Sequence, residues 1–119
     1  MGLAQGNLGN VTQVGAGATV AVVTVGSAKT VYVRALEIHS LNTDGNTTVQ
    51  VHVVPNNGGA LGTASSVTRI ARLGITTSDT YFFENAYPIT LVSNNDSIMI
   101  HNENADGAVN VLVLGDKEA

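Results

Sequence analysis

Glu37 to Val54 reads EIHSLNTDGNTTVQVHVV. Apolar and polar side chains alternate on both sides of Asp44-Gly45, a dipeptide that favours tight hairpin turns. With the turn centred there, Leu36 would face Val53, Ile38 would face Val51 and Ser40 would face Val49. The other face would pair Glu37 with His52 and His39 with Gln50. This register sorts apolar side chains to one side, and a slip of one residue would mix them. The stretch therefore predicts an antiparallel pair with one wet face. Glu37, His39 and His52 also pose the question of a metal or acid–base site. Metal ligation needs three or four converging donors, and a catalytic base must be aimed into a pocket. Here the groups would lie on an open, flat face. A polar cross-strand pair worth roughly a few tenths of a kcal/mol is the favoured reading.

Outward from this stretch the pattern stays strand, turn, strand. Strands are expected near 18–25, 30–41, 47–54, 66–72, 79–84, 88–92, 97–102 and 108–114, with a ninth at 11–14. Val, Ile and Thr dominate these runs, and Gly, Asn, Asp and Pro separate them. No segment holds a helical period for three turns. The expected fold is all-β, a single antiparallel β-sandwich, jelly-roll-like, of about eight strands. Residues 1–14 are expected to form a flexible N-terminal arm and residues 15–119 the sandwich domain. The longest loop, PNNGGALGTASS from Pro55 to Ser66, has the length at which loops tend to be functional or mobile.

The last expected hairpin, with its turn within Asn104 to Gly107, would pair Ile98 with Val113 and Ile100 with Val111. Its other face would carry Met99 beside Leu112 and His101 beside Asn110, with Leu114 just beyond. A ribbon apolar on both faces is covered either by its own domain or by a subunit. In Tyr81-Phe82-Phe83, one side of the strand is expected in the core and the other at a contact.

The chain has 119 residues, enough for one domain with a real core. Only 12% of residues are charged, about half the usual share of roughly 25%, which fits a surface partly covered by a partner. Lys29, Arg34, Arg69, Arg72 and Lys117 form no run, so the footprint of a nucleic-acid binder is missing. The absence of cysteine removes disulfides and thiolate chemistry. MGLAQGNLGN lacks the basic and apolar regions of a signal peptide, and no apolar run is long enough for a membrane span. GAGATV (Gly15–Val20) and NGGALG (Asn57–Gly62) lack the context of nucleotide loops. Asn42, Asp44 and Asn46 lack the glutamate of a calcium loop. No Ser, His and acid stand in a recognisable nucleophile setting. No catalytic residue, cofactor or metal is expected.

The order of elements from Tyr32 to Gly115 runs through EIHSLN, VQVHVVPNNGG, YPITLVSNNDSIMI and a closing VNVLVLG. It resembles small virion structural proteins of tailed bacteriophages, the group that includes capsid decoration (cement) proteins and small tail or head-fibre proteins. PITLVSNNDSIMI looks like that group's P-I-x-L-x-x-G-D-x-I turn, with Asn95 where glycine is common. The resemblance implies a β-sandwich, usually a homo-oligomer and often a trimer, without catalytic residues. It further implies a place on the capsid surface, after assembly in the host cytoplasm, with the major capsid protein as partner. No nucleic acid or membrane is expected as a partner. Contact residues expected on this reading are Leu3, Leu8, Val11 and Val14 in the arm, and Met99, His101, Leu112 and Leu114 in the last hairpin. A tail adaptor or head-fibre component is the alternative, and a glycan-binding module working through the Pro55–Ser66 loop is a more distant one.

Overall fold

The structure, a computed structural model, describes residues 3–26, 29–92 and 94–118, with the backbone alone at residues 3–5. It holds nine strands: β1 (Leu3–Asn7), β2 (Thr12–Val14), β3 (Thr19–Thr24), β4 (Thr30–Ser40), β5 (Thr47–Val54), β6 (Arg69–Ile75), β7 (Thr80–Val92), β8 (Ser97–Asn102) and β9 (Val109–Glu118). Among the described residues no helix is long and apolar enough to cross a membrane. Two antiparallel sheets pack face to face. The first has the order β1/β2–β9–β4–β7 and the second β3–β8–β5–β6. This is the strand order of a jelly roll, in which most successive strands alternate between sheets, β5 and β6 being neighbours in one.

That alternation overturns the expected hairpins. β4 pairs with β7 and β9, while β5 pairs with β6 and β8. Glu37 lies opposite Phe82 and Leu112, and His52 opposite Arg69 and Met99, so Glu37 and His52 are in different sheets. Ile38 and Val51 both point into the core, but from opposite sheets. The last pair departs in the same way, with β8 in one sheet and β9 in the other. Met99 and Leu112 therefore lie on opposite outer faces. The cause is physical. Alternation fixes which side of a strand turns inward, and a hairpin and a sheet-to-sheet crossover both satisfy it.

The connections themselves show why the crossover wins. Ser40, Asn42, Thr47 and Asn102 are buried where the 41–46 and 103–108 connections meet. Ser40 and Thr47 share a hydroxyl–hydroxyl bond of 3.1 Å, and Asn104 Nδ2 donates to Thr47 Oγ1 at 2.9 Å. Asn102 Nδ2 donates to the carbonyls of Val14 and Gly107. A Cβ on Gly107 would stand 2.8 Å from Asn42 Cβ, so the two connections are in direct contact. Buried polar groups of this kind must be bonded, and here each finds partners at the sandwich end.

Between the sheets lies a core of branched aliphatics, including Val33, Leu36, Ile38, Val49, Val51, Ile98, Ile100, Val111 and Val113. Residues 3–14, expected as an arm apart from the sandwich, are instead paired into it. β1 and β2 lie one after the other along the same edge of β9. Val14 is fully buried in the core and Leu8 packs against it, with its N–H bonded to the Val113 carbonyl. Met1 and Gly2 of that segment lie outside the described residues.

The loop between β5 and β6 is pinned by Asp96. One carboxylate oxygen accepts from the backbone and side chain of Asn56 at 2.9 and 3.1 Å, and the other from the Val92 N–H at 3.2 Å. Asn95, standing where the resembled turn carries glycine, has φ of 69° and donates to the Gly59 carbonyl. Asparagine tolerates this left-handed backbone better than other side chains do. Asp96→Ala is expected to cost about 2 kcal/mol, the scale of hydrogen bonds to a charged acceptor. Urea denaturation would measure it, and hydrogen exchange should show faster exchange at the Asn56 amide.

Candidate interaction surface

The two outer faces of the sandwich differ. On the β3–β8–β5–β6 sheet, Val54, Ser97 and Met99 point away from the core yet are buried. The 55–68 loop lies over this side: a Cβ on Gly62 would stand 2.9 Å from Val54 Cγ1 and 2.2 Å from the Pro55 carbonyl oxygen. Met99, expected at a contact between subunits, is thus covered by its own chain. His101 on the same face is half-buried, with Nδ1 2.8 Å from Thr19 Oγ1.

The outer face of the β9–β4–β7 sheet stays open. Its registers place Thr80, His39, Asn110 and Gln13 in one row, bonded His39 Nδ1 to Thr80 Oγ1 and Gln13 to Asn110. The next row is Phe82, Glu37 and Leu112, and the one after it Glu84, Ala35 and Leu114. Phe82 is 60% exposed, while Leu112 and Leu114 are half-buried. Val11, 58% exposed, lines a shallow depression of about 210 Å³ together with Glu37, His39, Asn110 and Leu112. Two expected contact residues, Leu112 and Leu114, therefore lie on this surface with Val11 at its border. Leu8 and Val14 belong to the core side. The side chain of Leu3 lies outside the described residues.

β7 closes the sheet as an edge strand of 13 residues. Tyr81 and Phe83 turn inward, with Phe83 packed against the core, and Phe82 turns outward as alternation requires. Midway the register jumps. Val33 faces Ile89 and Ala35 faces Glu84, so residues 85–88 bulge opposite Arg34 alone. Pro88 sits in the bulge, and Tyr87 on it is 87% exposed. A bulge with proline blunts an edge against open-ended strand pairing. What the edge offers is aromatic side chains. The sequence divides this edge into strands at 79–84 and 88–92, because Asn85-Ala86-Tyr87 ahead of Pro88 reads as a break. The signal available was the unbroken aromatic and β-branched content on either side.

No protein-family model and no curated protein matches the chain.

Charge on the open face is sparse. Arg34, turned by the bulge, donates through Nε to buried Asp116 at 2.7 Å. Glu37, between Phe82 and Leu112, and His39, in the polar row beside it, make no ion pair among the described residues. No group of three or more His, Cys, Asp or Glu side chains there or elsewhere in the described residues could hold a metal ion.

At the far corner of the other sheet, Arg72 clasps Glu103 with two bonds of 2.8 and 2.9 Å, and Gln50 donates a third at 2.8 Å. The Arg72 bonds first, then that of Gln50, pull the Glu103 carboxyl from 4.5 to about 2. A depressed folded value means stability that is complete above pH 4.5 and lost as pH falls toward 2. Arg72→Gln should therefore lower the urea midpoint at pH 6, with the difference shrinking toward zero by pH 2. Because Arg72 is mostly exposed, solvent screening keeps the effect small.

Proposed function

We propose that this chain is a non-enzymatic structural protein of a bacteriophage particle. In this reading it is a capsid decoration (cement) protein, bound to the outer shell and stabilising contacts between major capsid protein subunits. The observation that carries the reading is the asymmetry of the sandwich. One outer face is partly covered by the chain's own loop, which itself exposes Leu61 and Val67, while the other presents Phe82 with half-buried Leu112 and Leu114 beside the bulge that carries Tyr87. Apolar surface left open on one side of a small jelly roll, with few charges to solvate it, is the physical signature of a contact surface. The resemblance of the Tyr32–Gly115 segment to virion proteins supplies the kind of particle. The protein acts as a homo-oligomer, a trimer on the expectation from that resemblance, and its place is the capsid surface.

Co-sedimentation with expanded capsids tests this, with free major capsid protein as the comparison. Binding to the completed lattice and not to free subunits is the expected result. Failure to sediment with capsids, together with a monomeric mass by light scattering at all concentrations, would refute it. Labelling that places the protein on the tail would move it to an adaptor or fibre role.

A further inference from the structure

The face partly covered by the loop carries a second feature. Beside the 55–68 loop is a cleft of about 300 Å³ bordered by Thr19, Gln50, His52, Ser65, Arg69 and His101. Four strands and the loop contribute to it. Thr19 lies opposite His101, His101 opposite Gln50, and His52 opposite Arg69, so the sheet itself sets the spacing.

Its charge is one-sided. Glu103, whose charge reaches His101, has both oxygens occupied by Arg72 and Gln50. The loop from Pro55 to Thr68 has no charged residue, and β3 contributes only the Thr19 hydroxyl. Arg69 is exposed and makes no ion pair among the described residues. His101 uses Nδ1 on Thr19, and among the described residues no bond occupies its Nε2. A guanidinium, an imidazole nitrogen and hydroxyls thus line one cleft, and the one carboxylate whose charge reaches His101, that of Glu103, is already engaged by Arg72 and Gln50.

The buried neighbour His52 is tied into a directed chain. Gln50 spends its amide N–H on Glu103, so its carbonyl oxygen accepts from His52 Nε2 at 2.9 Å. Thr68 Oγ1 sits 2.9 Å from His52 Nδ1 and 3.0 Å from the Ser65 carbonyl. With neutral His52 the Thr68 hydroxyl donates to Nδ1. With His52 protonated, Nδ1–H donates instead and the hydroxyl turns to Ser65. Either charge state keeps its partners. Burial first, and then the positive charges of His101 and Arg69, hold the His52 imidazole below its ordinary value. An anion in the cleft would offset those two charges.

We propose that this cleft is a binding site for an oxyanion, the sulfate, phosphate or carboxylate group of a small ligand, held by Arg69 and His101 Nε2 with the Ser65 hydroxyl at its rim. Guanidinium and imidazole are the donors best suited to such groups. The site is independent of the open face, so it stands or falls apart from the proposed structural role.

Sulfate is the appropriate first probe, because its charge stays constant across the pH range in which imidazoles titrate. A ¹H–¹⁵N NMR titration of the full chain with sulfate should give saturable shifts at Ser65, Arg69 and His101. Arg69→Gln, at an exposed position, should keep the fold and weaken binding about tenfold. Parallel titrations with inorganic phosphate and glucuronate distinguish the sources. Tighter sulfate or phosphate marks a tetrahedral anion, and tighter glucuronate marks an acidic sugar. No saturable shift with any probe, or an Arg69→Gln response equal to that of the parent, overturns the proposal.

Discussion

Gly115→Ala is expected to lower the thermal midpoint by roughly 10 °C or more, a large effect for a single methyl group. Gly115 needs no unusual backbone; what it needs is room. A Cβ there would stand 2.0 Å from the Tyr32 carbonyl oxygen and 3.1 Å from Leu8 Cδ1. The oxygen belongs to β4, the central partner of β9, and it sits beside the bulge where Arg34 reaches Asp116. Neither strand can shift alone, because β4 is also paired with β7 and β9 with β1. Overpacking ordinarily costs about 1–3 kcal/mol, and a clash against backbone belongs at or above the top of that range. Against a total stability on the order of 10 kcal/mol, such a loss is large. Gly74→Ala supplies the control, since a Cβ on that β6 residue meets nothing within 4 Å. Thermal melts followed by circular dichroism should show Gly115→Ala far below the parent and Gly74→Ala close to it. Equal midpoints for the two variants would mean that β4 and β9 are not held as close as described.

Gly115 also illustrates what can be read from residues alone. The glycine after VNVLVL was visible as the end of a strand, but the close approach that demands it depends on β4, some 80 positions earlier. Local features were legible. The 47–54 and 97–102 strands, with inward Val49, Val51, Ile98 and Ile100, match β5 and β8 residue for residue. Partner choice was not. Leu36 and Ile38 carry the same alternation whether Val51 sits beside them or across a dry interior. The separation of sheets is decided by buried Ser40, Asn42 and Thr47 in a connection that looks like an ordinary polar turn. The same blindness applied to surfaces. Met99 reads as a spare apolar residue until the 55–68 loop is seen lying over its face. Phe82 could be read as outward-facing from period two, whereas Tyr87 could not, because a four-residue bulge opposite one residue obeys no period.

Phe82 and Tyr87 are the residues on which contact with neighbouring subunits should depend most. Phe82→Asp combined with Tyr87→Asp is expected to weaken self-association or capsid binding at least about 30-fold while leaving the monomer folded. The magnitude follows from the energetics of interfaces, where a few buried aromatics each contribute about 2 kcal/mol or more. Direction follows from position. Phe82 stands in the same row as Leu112 and is 60% exposed, and Tyr87 stands on the bulge at 87%. Neither side chain belongs to the core, in contrast to Phe83 one residue away. Phe83→Ala should therefore lower the melting temperature, and the paired aspartates should not. Sedimentation velocity and capsid co-sedimentation read the association, and circular dichroism reads the fold. An aspartate pair that binds as tightly as the parent would place the contact elsewhere, with the β3 and β6 edges of the other sheet next to be tested. Loss of binding with an unchanged melt would identify the open face of β9–β4–β7 as the surface by which this jelly roll holds its neighbours.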